Sequence, residues 1–174
     1  EPMRIAGLIL AGGESRRMGQ PKATLTLDGR SFLACGVELL RAGGCDPIVV
    51  VDGAHRITED AGMTLVVHNP SWSRGPASSL QVGVASLGQL EVDGVVVHRV
   101  EQPAVEPRVI AGLLAAAEAE PGMIWQPSYE GRSAHPVLWP RAAFDAIAAL
   151  DSTGVDYHVG VVSTDVEDFA HRGK

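Results

Sequence analysis

Short runs of β-branched and other apolar residues at 5–10, 48–51, 64–67 and 94–98 alternate with longer segments of helical periodicity. Few architectures accept that pattern. The runs show no in–out polar alternation, so the strands they form are covered on both faces, as in parallel sheets with helices above and below. Helical segments are expected at 32–42, closed by Gly43-Gly44, at 78–87, at 107–119 with Pro107 at its start, and at 141–150. Further strands are expected at 123–126 and 159–162. No repeat, low-complexity linker or shift in composition divides the chain. The prediction is one three-layer α/β/α domain over 3–174, Rossmann-like, with a mostly parallel sheet. Glu1-Pro2, ahead of Met3, reads as a tag remnant.

Bulk properties remove several classes of function. The chain has 174 residues, 45% of them hydrophobic and 20% charged, with a net charge of −7. An acidic body is poorly suited to nucleic acid, which requires a basic surface to neutralise phosphates. There is no apolar run of bilayer length and no secretory signal, so no membrane partner and a cytoplasmic location are expected. Cys35 and Cys45 are ten apart, a spacing that suits neither a CxxC pair nor a zinc site, and both are expected to be small buried residues. His55, His68, His98, His158 and His171 share no short spacing, so zinc is not expected.

In open α/β sheets ligands bind beyond the carboxyl ends of the strands. The first run passes directly into Ala11-Gly12-Gly13, where glycines let main-chain N–H groups approach a ligand. Arg16, Arg17 and Lys22 follow within seven residues. A positive loop on an acidic protein selects a small anion over a polyanion. Neither a Walker GK[ST] sequence nor GxGxxG is present, so this loop is of another kind.

The sequence Leu10-Ala11-Gly12-Gly13-x-Ser15-x-Arg17-Met18-Gly19-x-x-Lys22 resembles the signature of the MobA-like nucleotidyltransferases, and the likeness continues through Leu25, Leu27 and Gly29. The resemblance implies that Leu10, Ala11, Gly12 and Gly13 contact base and ribose. Ser15, Arg17 and Gly19 would cradle the phosphates, and Lys22 would stabilise charge developing on the α-phosphate. Arg16 reads equally as a solvated arginine.

The segment after the third run, from Asn69 to Leu80, offers Gly75, Ser78 and Ser79 as nucleotide contacts, with the serines also able to cap a helix. Leu-Ala-Gly-Gly and Gly75-Pro76 resemble the guanylyltransferase branch of the family. Ala77-Ser78-Ser79-Leu80 with Gly83 resembles the cytidylyltransferase branch, so the base stays open between CTP and GTP. After the fourth run the chain reads His98-Arg99-Val100-Glu101-Gln102-Pro103, where the family has Asp-x-Pro. The resemblance makes Glu101 the magnesium ligand, with a carboxylate one methylene longer than the family's. The family's second metal motif, an Asp-x-Asp-Thr-Pro-like segment near the end, is matched by neither Asp165 nor Asp168. A truncated end and an incomplete site would look the same. His135, in Gly131-Arg132-Ser133-Ala134-His135-Pro136, resembles a Gly-His-Pro segment near the acceptor, or simply precedes a strand. Asp52, just past the second run, reads as a ribose contact or a turn residue.

The activity implied is Mg2+-dependent transfer of a nucleoside monophosphate from CTP or GTP to a small phosphorylated acceptor of molybdopterin type, releasing pyrophosphate. A second reading is a weakened nucleotide- or cofactor-binding protein of the same fold, with a molybdoenzyme or a cofactor chaperone as partner. A third, a sugar-phosphate nucleotidylyltransferase, suffers from the lack of room for a separate sugar domain.

Overall fold

The computed structural model describes residues 2–14, 19–150 and 159–163. Ser15, Arg16, Arg17, His158, Asp165, Asp168 and His171 lie outside them. The chain runs β1 (Ile5–Ala11), a 3-10 turn at Lys22–Thr24, β2 (Thr26–Leu27), β3 (Arg30–Ser31), α1 (Phe32–Ala42), β4 (Ile48–Asp52) and β5 (Leu65–His68). It continues through a second 3-10 turn at Trp72–Arg74, α2 (Pro76–Leu87), β6 (Gly94–Arg99), α3 (Pro107–Ala119), β7 (Ile124–Tyr129) and β8 (Arg132–Ser133). β9 (Val137–Pro140), α4 (Phe144–Ala148) and β10 (Val159–Ser163) follow.

The main sheet has the order β10-β7-β9-β6-β1-β4-β5, with β8 paired to β7. β1 pairs in parallel with both β4 and β6, β4 with β5, and β7 with β10, whereas β9 runs antiparallel between β6 and β7. From β1 the chain moves outward to β4 and β5, then returns to the other side of β1 as β6. That reversal opens a crevice beyond the carboxyl ends of β1 and β6.

Strand periodicity divides the core in two. Ile5 and Ile9 of β1 and Ile48 and Val50 of β4 pack with α1 and α3, while Ala6, Leu8, Val49 and Val51 pack with α2 and α4 on the other face. The helices approach closely where they carry glycine: a Cβ on Gly83 of α2 would stand 2.5 Å from Leu8 Cδ1. The three-layer reading therefore holds.

Several local expectations are corrected. The helix expected at 141–150 is a 3-10 turn at Arg141–Ala143 leading into the five-residue α4. The Arg141 guanidinium is bound there to the carbonyls of Gly88, Leu90 and Val92. α2 begins at Pro76, two residues before its expected start, with proline at the position where its missing N–H costs nothing. Cys45 is buried but Cys35, on α1, is only half-buried; both are free thiols.

Candidate active site

A cleft of about 400 Å³ opens at the crevice. Its floor is the end of β1, where Leu10, Ala11, Gly12 and Gly13 line it, with Lys22 of the first 3-10 turn on one wall. Gly75, Pro76 and Ser79 form a second wall, and Arg99, Val100 and Glu101 after β6 a third. Loop residues 55–59 complete it together with Trp72.

Helix α2 and the segment after β4 both pack on Gly12. A Cβ there would stand 2.8 Å from the Ser79 hydroxyl, so helix α2 docks directly on the main chain of the first loop. Gly53, after β4, lies on the other side: its Cβ would stand 2.7 Å from the Gly12 carbonyl oxygen and 2.5 Å from Trp72 Cβ. Ala54 N–H donates to that same carbonyl at 3.3 Å, and Val100 N–H donates to the Leu10 carbonyl at 3.2 Å. Glycine is thus required here for close approach between loops.

The second wall is organised by Asn69, which is fully buried. Its Nδ2 donates to the Ser78 and Ser79 hydroxyls, both at 2.9 Å, and its Oδ1 accepts Ser71 N–H at 2.9 Å. The Ser78 hydroxyl donates in turn to the carbonyls of Gly75 at 2.7 Å and Ser71 at 3.1 Å. Gly75 has φ +106°, a conformation that favours glycine, and offers α2 no side-chain cap. Pro76 has no N–H and Ser78 N–H donates to the Gly75 carbonyl at 3.1 Å, so the start of α2 meets the cleft through Gly75, Pro76 and Ser79.

Leu10, Ala11, Gly12, Gly13, Lys22, Gly75, Ser79 and Glu101 are brought to one cleft. Four other candidates are not on its wall. Asp52 ends β4, and its buried carboxylate accepts Ile57 N–H at 2.9 Å and pairs with His68 Nδ1 at 2.7 Å. These bonds make Asp52 the residue that shapes the start of loop 53–59. Ser78 spends its hydroxyl on the turn before α2, and does not cap the helix from outside it. Gly19, at φ +69°, is an exposed turn glycine. His135 is half-buried just behind the third wall. Burial lowers its pKa first and the Arg99 charge next, with the Glu101 carboxylate opposing them.

Sequence reasoning missed the wall at 55–59, Trp72, Arg99 and the role of Asn69. The Glu59 carboxylate accepts from the Ser31 hydroxyl at 2.7–2.8 Å, tying this wall to the start of α1. His55 Nε2 lies 2.8 Å from the Glu14 carbonyl oxygen, tying it to the first loop. Only Arg99 could have been found from its neighbours, two residues before Glu101 at a strand end.

Among the described residues no group of three His, Cys, Asp or Glu side chains could hold a metal by itself. Magnesium on a triphosphate does not require one, because phosphate oxygens and water supply most of its ligands. The exposed Glu101 carboxylate on the cleft wall fits that need as a hard oxygen donor. Among the described residues no helix is long and apolar enough to cross a membrane.

Fold and cleft together define a three-layer α/β domain with a ligand-sized cleft at the switch point of its sheet. The sequence family described as the MobA-like NTP transferase domain matches residues 7–160, and the chain belongs to that family. The molybdenum cofactor guanylyltransferase of Cereibacter sphaeroides is 36% identical over 160 residues, covering 87% of this chain and 77% of that protein. The probable molybdenum cofactor guanylyltransferase of Opitutus terrae is 31% identical over 120 residues, and the chain spans 59% of its length. The nicotine blue oxidoreductase of Paenarthrobacter nicotinovorans is 29% identical over 160 residues, with coverage of 85% and 76%. In fold, the crystal structure of Rv0371c from Mycobacterium tuberculosis superposes with a TM-score of 0.76 at 23% identity, covering 97% of each chain. A manganese complex of that protein superposes with a TM-score of 0.71.

Proposed function

We propose that this chain transfers a nucleoside monophosphate from CTP or GTP to a small phosphorylated acceptor of molybdopterin type and releases pyrophosphate. One observation carries the reading: Leu10–Gly13, Lys22, the start of α2 and Glu101, distant in sequence, line a single cleft. The named activity of the Cereibacter relative agrees with it.

In this mechanism an acceptor phosphate oxygen attacks the α-phosphorus in line and pyrophosphate leaves. The new P–O bond joins acceptor and nucleotide, the bond to the β-phosphate breaks, and no covalent enzyme intermediate forms. The Gly12 and Gly13 main chain positions the nucleotide, and Lys22 balances charge that grows on the α-phosphate oxygens. Glu101 would hold a divalent cation, whose chemistry is to neutralise the triphosphate. Arg99, on the same wall as Glu101, would offer positive charge to an anionic acceptor, and His135 is the acceptor contact that the family resemblance implies. The direct test incubates the protein with each NTP, magnesium and the molybdopterin acceptor and measures pyrophosphate. Release with CTP or GTP that depends on the acceptor is expected, and its absence for every NTP overturns the reading.

A second reading, a binding protein with weakened catalysis, is favoured by Glu101 standing where the family carries aspartate. The similarity to an oxidoreductase also allows this fold other work. Glu101→Asp separates the two: a gain in turnover supports a slowed transferase, and tight NTP binding without turnover supports the binding protein.

A further inference from the structure

Beneath the third wall lies a polar group that the chemistry above does not use. His98 is the fifth residue of β6, paired in register with Ile9 of β1, and is fully buried among apolar neighbours. Neither of its ring nitrogens has a hydrogen-bond partner among the described residues, and neither has the buried Oε1 of Gln102. Burial pushes the ring pKa down to about 4, with His135 adding to the shift, so the imidazole is neutral and carries one N–H and one lone pair. The Gln102 main chain opposes that shift, though neither ring nitrogen makes a hydrogen bond.

The fold makes room for this ring. Gly36, in the middle of α1, faces it: a Cβ there would stand 3.4 Å from His98 Cδ2 and 3.1 Å from Ile9 Cδ1. Glycine inside a helix is unfavourable, and an unsatisfied buried polar group is more so. Valine, which occupies the three preceding β6 positions, would fill the site without either cost. What an imidazole adds is a donor and an acceptor directly under the turn at 99–102. That turn is closed by Gln102 N–H donating to the Arg99 carbonyl at 3.1 Å, and Glu101 lies within it.

We propose that His98 is a positioning residue: it pairs with Gln102 beneath the 99–102 turn and thereby fixes the Glu101 carboxylate when a metal–triphosphate is held. The inference rests on the reading of Glu101 as the metal ligand. His98 and Gln102 each supply the partner the other lacks. Glu101 is the residue next to Gln102, so a bond made by the Gln102 side chain restrains it.

The test measures Mn2+ binding to the full chain by electron paramagnetic resonance, with GTP or CTP present and no acceptor. NTP binding in EDTA and thermal melting are measured alongside. His98→Leu is expected to weaken Mn2+ about tenfold while leaving metal-free NTP binding within twofold, and His98→Gln is expected to recover most of the loss. Gln102→Met, which leaves the core untouched, is expected to reproduce the loss and stands in should His98→Leu fail to fold. Glu101→Gln is the control. If it loses Mn2+ and both His98→Leu and Gln102→Met do not, the role of His98 is overturned while that of Glu101 stands. Should Glu101→Gln keep full Mn2+ affinity, the metal reading fails and this inference with it. Equal loss of NTP and Mn2+ binding in the His98 and Gln102 variants would make these residues structural only.

Discussion

Asn69 Nδ2 donates to the Ser79 hydroxyl at 2.9 Å, and that hydroxyl is the atom a side chain on Gly12 would strike at 2.8 Å. One buried amide therefore sets the distance between the loop after β5 and the glycine floor. Ser78, bound to the same nitrogen, fixes the turn before α2. Asn69→Ala removes all of these bonds at once and leaves the buried Ser79 hydroxyl without that donor. A stability loss of about 2 kcal/mol is expected, read from urea denaturation. NTP affinity should fall with it, because the start of α2 loses its seat on Gly12. Unchanged NTP affinity in a folded Asn69→Ala protein would detach this loop from the site.

The two thiols should separate cleanly by reactivity. Cys45 is buried, and burial pushes its pKa up to about 12. Attack on a disulfide reagent needs the thiolate and access to it, and Cys45 lacks both. Cys35 is half-buried on α1, with Sγ 4.0 Å from the Arg30 carbonyl oxygen. The native protein is expected to release one equivalent of thionitrobenzoate from Ellman's reagent, and the denatured protein two. Two equivalents without denaturant would contradict the burial of Cys45.

Acid should destabilise the fold through His98. Its pKa falls from 6.5 in the unfolded chain to about 4 in the native one. Above pH 6.5 neither state binds this proton and its contribution to stability is complete. As pH falls from 6.5 to 4 the unfolded chain takes up the proton and the native chain does not, so stability is lost, and below 4 the loss levels off. The full span is about 3 kcal/mol. Comparing urea midpoints of the parent and His98→Leu between pH 7 and 4 isolates this from the carboxylates. The variant should show the shallower fall; parallel curves would mean that His98 titrates normally.

How far the sequence could be read follows from range. β1, β4 and β6 were legible because central parallel strands are continuously apolar, α1 because Gly43-Gly44 closes an amphipathic run, and α3 because Pro107 opens one. β9 was hard to see: four residues, inserted antiparallel between β6 and β7, leave only Val137 and Leu138 as a signal. At the site, Leu10–Gly13 and Lys22 were legible because they share one local motif. Asn69 opens its loop in the sequence, but its role depends on serines nine and ten residues away turning back towards it. Asp52 sits at the ligand end of the sheet, and sequence position alone could not show that its carboxylate faces Ile57 and His68. Loop 53–59 has no motif, and it became a wall through Glu59 bonding to Ser31 and His55 to Glu14.

Gly53 tests whether the convergence of loops matters to function. Its neighbours on both sides are rigid: the Gly12 carbonyl is part of the floor, and Trp72 Cβ belongs to a 3-10 turn whose Trp72 carbonyl accepts Gly75 N–H at 3.1 Å. A methyl at Gly53 would meet them at 2.7 and 2.5 Å, and neither is the flexible end of a side chain. Gly53→Ala must therefore push loop 53–59 away from the floor or displace Gly12. Overpacking of this kind costs about 1–3 kcal/mol. Because Gly12 lines the cleft where we propose that the nucleotide binds, affinity for NTP should fall more than stability alone predicts. Gly13→Ala is the control, since a Cβ there meets nothing within 4 Å. It should keep the parent melting temperature, so any loss of NTP binding in it reports the floor itself. If Gly53→Ala matches the parent in both melting and NTP affinity, the loops are free to part, and the cleft is less constrained than this contact requires.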